Sequence, residues 1–356
     1  MLGLWILSGV LCVSVGATVA HSDTVFVSIL PQAYFVERII GMRTAECGVW
    51  MVGVTSYELR VTSDITGIRH SSLVTRNSSL VTNVEVMVRP TGDPHTHEPT
   101  PRQMAELAEA RIYFTIGVPF ERAWMERIKA VNPGLKVVDT SQGIMKRNGE
   151  WGMGNGECGV RNAEWGVGSG ERSVRDEPGR HVEDPHIWLD PILVKSQARI
   201  IAEALVEIDP HNCIEYQANL EVFLADLDRL DGEIKKTLHG LEGRTFLVFH
   251  PAWGYFADRY GLRQMPVEVE GKEPGARSLA DFIQRSKTLI AEGQTAKALF
   301  VQKQFSTRSA ETVAQAIGAR VIPLDPLAKD YLENLRRTAE IISKELRKEC
   351  GMGNAE

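Results

Sequence analysis

This chain has little cysteine and no excess of basic charge. It has five cysteines among 356 residues. Apart from Cys12, near the start, they are widely spaced, which excludes a disulfide scaffold and a zinc–thiolate site built on short Cys pairs. The 40 Lys and Arg are outnumbered by 46 Asp and Glu, for a formal net charge of −6. No nucleic-acid partner is expected, because such binding usually needs a basic domain. No function is assigned to Cys47, Cys158, Cys213 and Cys350.

Long apolar runs are lacking after the first twenty residues, so no later segment is expected to span a membrane. Residues 1–20 carry no charge, contain apolar runs and end in small residues, which predicts a secretory signal peptide. An uncleaved anchor helix is the alternative, although such a helix needs about 20 apolar residues. Lipid attachment at Cys12 is disfavoured because Leu11 stands where a small residue is expected. The sequence therefore predicts an exported, periplasmic or extracytoplasmic protein.

Short strand-like runs alternate with helical patterns along the chain. The run that begins at Thr24 stops at Pro31, and apolar residues then recur at helical spacing up to Gly41. This alternation predicts an α/β fold with mainly parallel sheets that carry helices on both faces. Further strands are expected at 84–88, 112–117, 136–139, 245–250, 298–302 and 320–325, and further helices over 102–109 and around 124–131.

A charged stretch with apolar residues at steps of three and four interrupts this alternation. It predicts a helix of about 28 residues, roughly 40 Å long, that joins two separate sheets. We therefore expect two Rossmann-like lobes. The protein is also expected to be a monomer. The expected parts are a first lobe at 24–209, a linking helix at 210–241, a second lobe at 242–346 and a tail at 347–356.

Two repetitive stretches fit neither lobe. Residues 149–172 contain a Gly-rich seven-residue repeat, and residues 71–83 read SSLVTRN followed by SSLVTN. The first repeat places two or three Gly in every seven positions, and each Gly costs a helix about 1 kcal/mol. We interpret both as low-complexity insertions, at about 42–82 and 147–180, in preference to a Trp-lined binding surface.

Three of the nine histidines lie in similar settings, at the end of a predicted strand or in the following loop. His95 and His186 each follow an Asp-Pro pair, and His250 ends an apolar run before Pro251. Asp325 ends a later run, also before a proline. Any one of these is best explained alone as an ordinary loop residue. Ligands bind beyond the carboxyl ends of strands in open α/β sheets, so four such residues, two in each lobe, predict a metal site. Three imidazoles and one carboxylate suit Zn²⁺, with Mn²⁺ possible.

The other histidines are given smaller roles. His97 and His181 lie near two of the candidate ligands, and we expect them to be spectators that could help to capture metal. Ordinary surface positions are expected for His21, His70, His211 and His239.

Several strings resemble a known family. They include GDPHTHEPTPRQM at 92–104, DPHIWLDP at 184–191, FLVFHPAWGYFADRYGL at 246–262 and QFSTRSAETVAQAIGARVIPLDPLA at 304–328. With them, the chain is similar to the zinc and manganese solute-binding proteins of ABC transporters. The likeness extends from about residue 24 to residue 345, the two insertions excepted.

The resemblance implies a site, a function and a partner. His95, His186, His250 and Asp325 would bind a transition-metal ion between two α/β lobes joined by one long helix. The protein would deliver this ion, zinc or else manganese, to the membrane permease of an ABC importer, and it would not be an enzyme.

Three features depart from the family pattern. His97 stands where such proteins more often have an aromatic residue. The insertion at 42–82 interrupts the first lobe. Zinc-type members often have a His-rich acidic loop before the DPHIW string, where this chain has the Gly-rich repeat and only His181.

Two other functions remain open. A zinc hydrolase needs an open metal position and a general base, but the chain has no HExxH motif, and Glu98 and Glu270 are candidates by composition only. A surface adhesin of the same fold would use the repeats as its binding part. Between metals, a histidine at position 250 favours zinc, because oxygen ligands suit manganese better.

Overall fold

The computed structural model describes residues 24–41, 83–147, 183–268, 275–304 and 307–348. The predictions for the signal peptide, for His181 and, apart from Arg147, for the two insertions lie outside these residues. Within the described ranges, no helix is both long enough and apolar enough to cross a membrane. The one cysteine in these ranges, Cys213, is a half-buried free thiol.

The first lobe is built on a four-stranded parallel sheet. Its elements are β1 (Thr24–Val27), α1 (Leu30–Ile40), β2 (Asn83–Val86), α2 (Pro101–Leu107), β3 (Ile112–Thr115), α3 (Pro119–Val131) and β4 (Lys136–Asp139). The strand order is β2-β1-β3-β4. In register, Val25 of β1 pairs with Val84 on one side and with Ile112 on the other.

The second lobe repeats this topology. Its elements are β5 (Thr245–Val248), α6 (Gly254–Arg259), β6 (Arg263–Pro266), α7 (Ala276–Ala291), β7 (Ala298–Val301), α8 (Thr307–Ile317), β8 (Arg320–Pro323) and α9 (Tyr331–Lys348). All pairs are parallel, in the order β6-β5-β7-β8. Parallel neighbours need a crossover connection, and that requirement explains the alternation of strands and helices along the sequence.

Two helices lie between the two sheets in the chain: α4 (Pro191–Ile208), which belongs to the first lobe, and, after one 3₁₀ turn, the connecting helix α5 (Cys213–Leu238). The 26 residues of α5 extend about 39 Å at the rise of an α-helix. Helix α5 packs against α1 and α4 of the first lobe and against α9 of the second. Its buried face carries the residues whose spacing predicted it, including Tyr216, Phe223, Leu227, Leu230 and Ile234. The predicted linking helix is therefore present.

Strand β5 shows how the core is divided. Phe246 and Val248 belong to a large apolar cluster that also contains α5, α9 and the first-lobe sheet. Leu247 and Phe249 point to the other face and join a smaller cluster with side chains of α7 and α8. Side chains alternate along a strand, so each sheet can be covered by helices on both faces. The predicted two-lobed α/β fold is confirmed.

The structure differs from the sequence prediction at two helices: α1 begins earlier than predicted, and α4 was not predicted. Strand β1 ends at Val27 and α1 already begins at Leu30, because Pro31 fits the first turn of a helix, where its missing N–H is not needed. Helix α4 was not predicted, although Asp190 caps it by accepting from Ile192 N and Pro191 follows at the first helical position.

Candidate metal centre

Three loops bring histidines to the cleft between the lobes. His95 lies in the loop after β2, and His250 comes two residues after β5. His186 does not follow a strand of either sheet. It directly precedes the 3₁₀ helix Ile187–Leu189, in the segment that leads into α4. The expectation of a strand end therefore holds for His95 and His250, while His186 reaches the site from a loop.

The three imidazoles form a close triangle. Ring centroids are 5.6 Å apart for His95 and His186, 4.9 Å for His95 and His250, and 5.3 Å for His186 and His250. Each ring offers one nitrogen, and these three nitrogens lie within 4.8 Å of one another. A search of the described residues for clustered His, Cys, Asp and Glu side chains finds this group. Nitrogens about 2.0–2.1 Å from a tetrahedral zinc are about 3.4 Å apart, so small side-chain movements would complete the site.

Carboxylates hold two of these rings. Asp184 Oδ1 lies 2.7 Å from His186 Nδ1, and Glu268 Oε2 lies 2.6 Å from His250 Nδ1. All four side chains are almost fully buried. A carboxylate on one ring nitrogen orients a histidine and leaves the other nitrogen available to a metal.

Burial keeps two of the rings uncharged. Desolvation, followed by the neighbouring histidines, lowers the pKa of His95 to about 3. Desolvation and the nearby His186 likewise lower the pKa of His250 to about 3. Because a metal needs the neutral imidazole, these two rings are already in the binding form at neutral pH.

Asp325 is not part of the cluster. Its Oδ1 accepts from Leu327 N at 3.0 Å, and its Oδ2 lies 3.5 Å from Lys303 Nζ. Asp325 lies two residues after β8, and the two residues that follow it, Pro326 and Leu327, line the cavity together with the three histidines.

Glu268 and Gln302 are site residues that sequence reasoning missed. Val248 pairs with Pro266 on one side and Phe300 on the other, so two residues further on His250 lies level with both Glu268 and Gln302. Gln302 lines the same cavity as the three histidines, and its buried Nε2 has no hydrogen-bond partner among the described residues. The signal in the sequence was their position just beyond strands, Glu268 two residues after β6 and Gln302 one residue after β7.

His97 packs away from the cluster. Its ring meets Phe120 edge-on, with 5.0 Å between the ring centroids. Burial lowers the pKa of His97, with Arg89 as the second cause. It therefore fills the place of an aromatic residue in the first lobe, next to the site and outside the group of potential ligands.

Hydrogen bonds tie the lobes together around the site. Tyr255 of α6 accepts from Arg147 N and donates to Asp184 O, at 2.9 Å each. Trp188 Nε1 donates to Pro326 O at 2.7 Å. Asp184, which orients His186, is thus also held through its backbone by the second lobe.

The chain matches known proteins over most of its length. The model of the periplasmic zinc-uptake complex component A, ZnuA, matches residues 71–345. The high-affinity zinc uptake system protein ZnuA of Bacillus subtilis is 30% identical over 249 residues, which cover 69% of this chain and 72% of that protein. A crystal structure of ZnuA is 38% identical, with a TM-score of 0.68, and covers 91% of this chain and 98% of that one.

An internal deletion mutant of ZnuA with zinc bound is also 38% identical, with a TM-score of 0.66 over 90% of this chain and 97% of that one. The match of the family model and the matches of these relatives agree with the resemblance carried by the motifs. The chain therefore belongs to the family of periplasmic zinc-uptake components.

Proposed function

We propose that this protein captures a zinc ion between its two lobes and delivers it to the membrane permease of an ABC importer. The observation that carries this proposal is the triangle of His95, His186 and His250, whose ring nitrogens converge within 4.8 Å. Imidazole nitrogen is a preferred ligand of zinc. Family membership supplies the transport role, because the relatives are uptake components.

The proposed ligands are the three histidines. Asp325 as a fourth ligand stays a prediction, since its carboxylate would first have to leave Leu327 N and Lys303. Gln302 is a further candidate, because it lines the cavity and its buried Nε2 has no hydrogen-bond partner among the described residues.

We place the protein outside the cytoplasm, in line with its family, and residues 1–20 are the proposed signal peptide. Zinc hydrolysis is not proposed, because the family is one of uptake components. Manganese is the second candidate cargo, and the all-nitrogen set of the triangle favours zinc over it.

Metal analysis of the purified protein tests the proposal. We expect one zinc per chain and, in competition titrations, tighter binding of zinc than of manganese. The expected rise in stability is RT ln(1 + [L]/Kd), about 4 kcal/mol at a thousandfold excess of free zinc over Kd. His250→Ala should remove most of the zinc-induced rise in Tm, and it should also lower the metal-free Tm, because it leaves the buried Glu268 without its ring partner.

Zinc binding by single-substitution variants tests each candidate ligand separately. Asp325→Asn should weaken zinc at least tenfold if Asp325 is a ligand, and Gln302→Leu is the matched test at the neighbouring strand end. Exposed His239→Ala is the control and should change nothing. Two tight zinc ions per chain, or an unchanged Kd in His250→Ala, would overturn the site.

Growth tests the transport role. A strain lacking the protein should grow poorly in chelated medium and recover with added zinc. The same strain complemented by His250→Ala should still need the added metal. Normal growth of the deletion strain under chelation would favour the adhesin alternative over uptake.

A further inference from the structure

One buried carboxylate of the second lobe is placed by the sheet against a proposed ligand. Glu268 Oε2 lies 2.6 Å from His250 Nδ1, and the two side chains are 4% and 2% exposed. The backbone fixes this contact, since Glu268 N donates to Phe249 O at 2.9 Å. The contact therefore follows from the pairing of β5 with β6, two residues beyond their last ladder pair.

The contact fits one placement of the single proton on a neutral His250 ring. A neutral imidazole has one N–H and one lone pair, and a carboxylate oxygen 2.6 Å from Nδ1 is placed to accept from an N–H at that atom. With the N–H on Nδ1, the lone pair of His250 is on Nε2. Resting on the proposed function, in which His250 binds zinc, we propose that Glu268 is a positioning residue: it keeps the proton on Nδ1 and Nε2 ready for the ion.

The first lobe has a similar pair that is less suited to a test. Asp184 Oδ1 contacts His186 Nδ1 and also accepts from His186 N at 3.0 Å. Replacing Asp184 would disturb the loop backbone together with the ring. His95 differs from both, because Asp93 accepts from its backbone N and no ring hydrogen bond of His95 is found in the described part of the chain. Each lobe thus contains one histidine ring of the site whose Nδ1 contacts a buried carboxylate.

The test compares Glu268→Gln with Glu345→Gln. Glu345 is a matched control because it is a buried carboxylate of the same lobe that pairs with Arg320 and Lys348 instead of a histidine. We expect Glu268→Gln to weaken zinc by tenfold to a hundredfold, the usual effect of losing such a partner, and Glu345→Gln to change the Kd less than threefold. In a His250→Ala background, Glu268→Gln should add less than a twofold effect, because its action passes through that ring.

Long-range ¹H–¹⁵N spectra of the metal-free protein give a readout that a purely structural role would not move. In the wild type, His250 should be protonated at Nδ1, and in Glu268→Gln this preference should weaken. A wild-type proton on Nε2, or an equal zinc Kd in Glu268→Gln and wild type, would overturn the proposal while zinc capture stands. A wild type that binds no zinc would overturn the proposed function instead. If Glu268→Gln does not fold, the wild-type spectrum decides.

Discussion

Glu121 shows how burial alters the charge of a single residue. It lies in the first turn of α3, is 5% exposed, and accepts from Ile116 N at 2.9 Å and Gly117 N at 2.8 Å. Gly117 has a φ of 93°, a conformation that favours glycine. Desolvation raises the pKa of Glu121 to about 7, although hydrogen bonds from Ser28 and from the two backbone N–H groups oppose the shift.

This raised pKa predicts a pH-dependent stability. The carboxyl has a pKa of about 4.5 when unfolded and about 7 when folded, so between these values the folded state binds more protons. The stability that comes from this difference in pKa is fully present below about pH 4.5 and is lost as pH rises through about 7. The free energy of unfolding should fall by about 3 kcal/mol over this range. Glu121→Gln cannot titrate, so its free energy of unfolding should fall less between pH 5 and pH 8.

Urea unfolding of the metal-free protein at these two pH values measures the difference. The control is Glu126→Gln, an exposed position on the same helix, which should keep the wild-type slope. An identical slope in Glu121→Gln would show that the carboxyl stays ionised in the folded protein.

At the scale of the element, α1 ties three strands together through Gln32. This side chain is fully buried, and its Oε1 accepts from Ser28 N at 3.0 Å. Its Nε2 donates to Thr115 O at 3.2 Å and to Thr140 Oγ1 at 3.1 Å. Ser28 follows β1, Thr115 ends β3 and Thr140 follows β4, so one amide joins the carboxyl ends of three neighbours.

Gln32→Leu should lower the free energy of unfolding by about 1–3 kcal/mol, because it leaves the buried N–H of Ser28 without its acceptor. Chemical denaturation of the metal-free protein gives the value. Gln284→Leu, at an exposed position of α7, is the control and should change stability by less than about 0.5 kcal/mol. Equal effects of the two substitutions would contradict the role of Gln32.

The connection between Arg147 and Asp184 gives a second prediction at this scale. Asp184 N donates to Arg147 O at 2.9 Å, so the two ends of the intervening segment are adjacent. We expect that replacing residues 148–182 with a short Gly-Ser linker leaves the Tm nearly unchanged, since loop length alters closure entropy only slowly. The zinc Kd should stay within threefold of the wild-type value. A larger loss of zinc affinity would assign the segment a part in binding.

At the scale of the whole molecule, the lobes share one continuous apolar cluster through α5 and α9. Polar contacts add to it: Tyr331 donates to Trp188 O at 2.8 Å, and Lys329 Nζ lies 2.7 Å from Glu37. Wide opening would break these contacts. Zinc release is therefore expected to need only a small shift of His250 relative to His95 and His186.

Small-angle scattering tests this rigidity. The radius of gyration of the zinc-loaded and metal-free proteins should differ by less than about 1 Å, because a long helix joins the lobes in place of flexible strands. A larger expansion on removal of zinc would indicate hinge opening.

Much of the architecture could be predicted from the sequence. Strand and helix alternation, the length of α5 and the recurrence of His before or after proline depend on local residue type and periodicity. These features indicated two α/β lobes and the residues His95, His186 and His250, which the structure brings together. The roles of the insertions and of the signal peptide stay predictions.

Tertiary structure alone decided the surroundings of those histidines. Glu268 follows His250 by 18 residues, and only the register of β5 with β6 places their side chains 2.6 Å apart. Asp325 had the same local signal as His250, but its carboxylate contacts Leu327 N and Lys303, and its role as a ligand stays a prediction. Residue type and spacing predict candidate ligands, whereas their convergence depends on strand register, which is set by packing between segments distant in sequence.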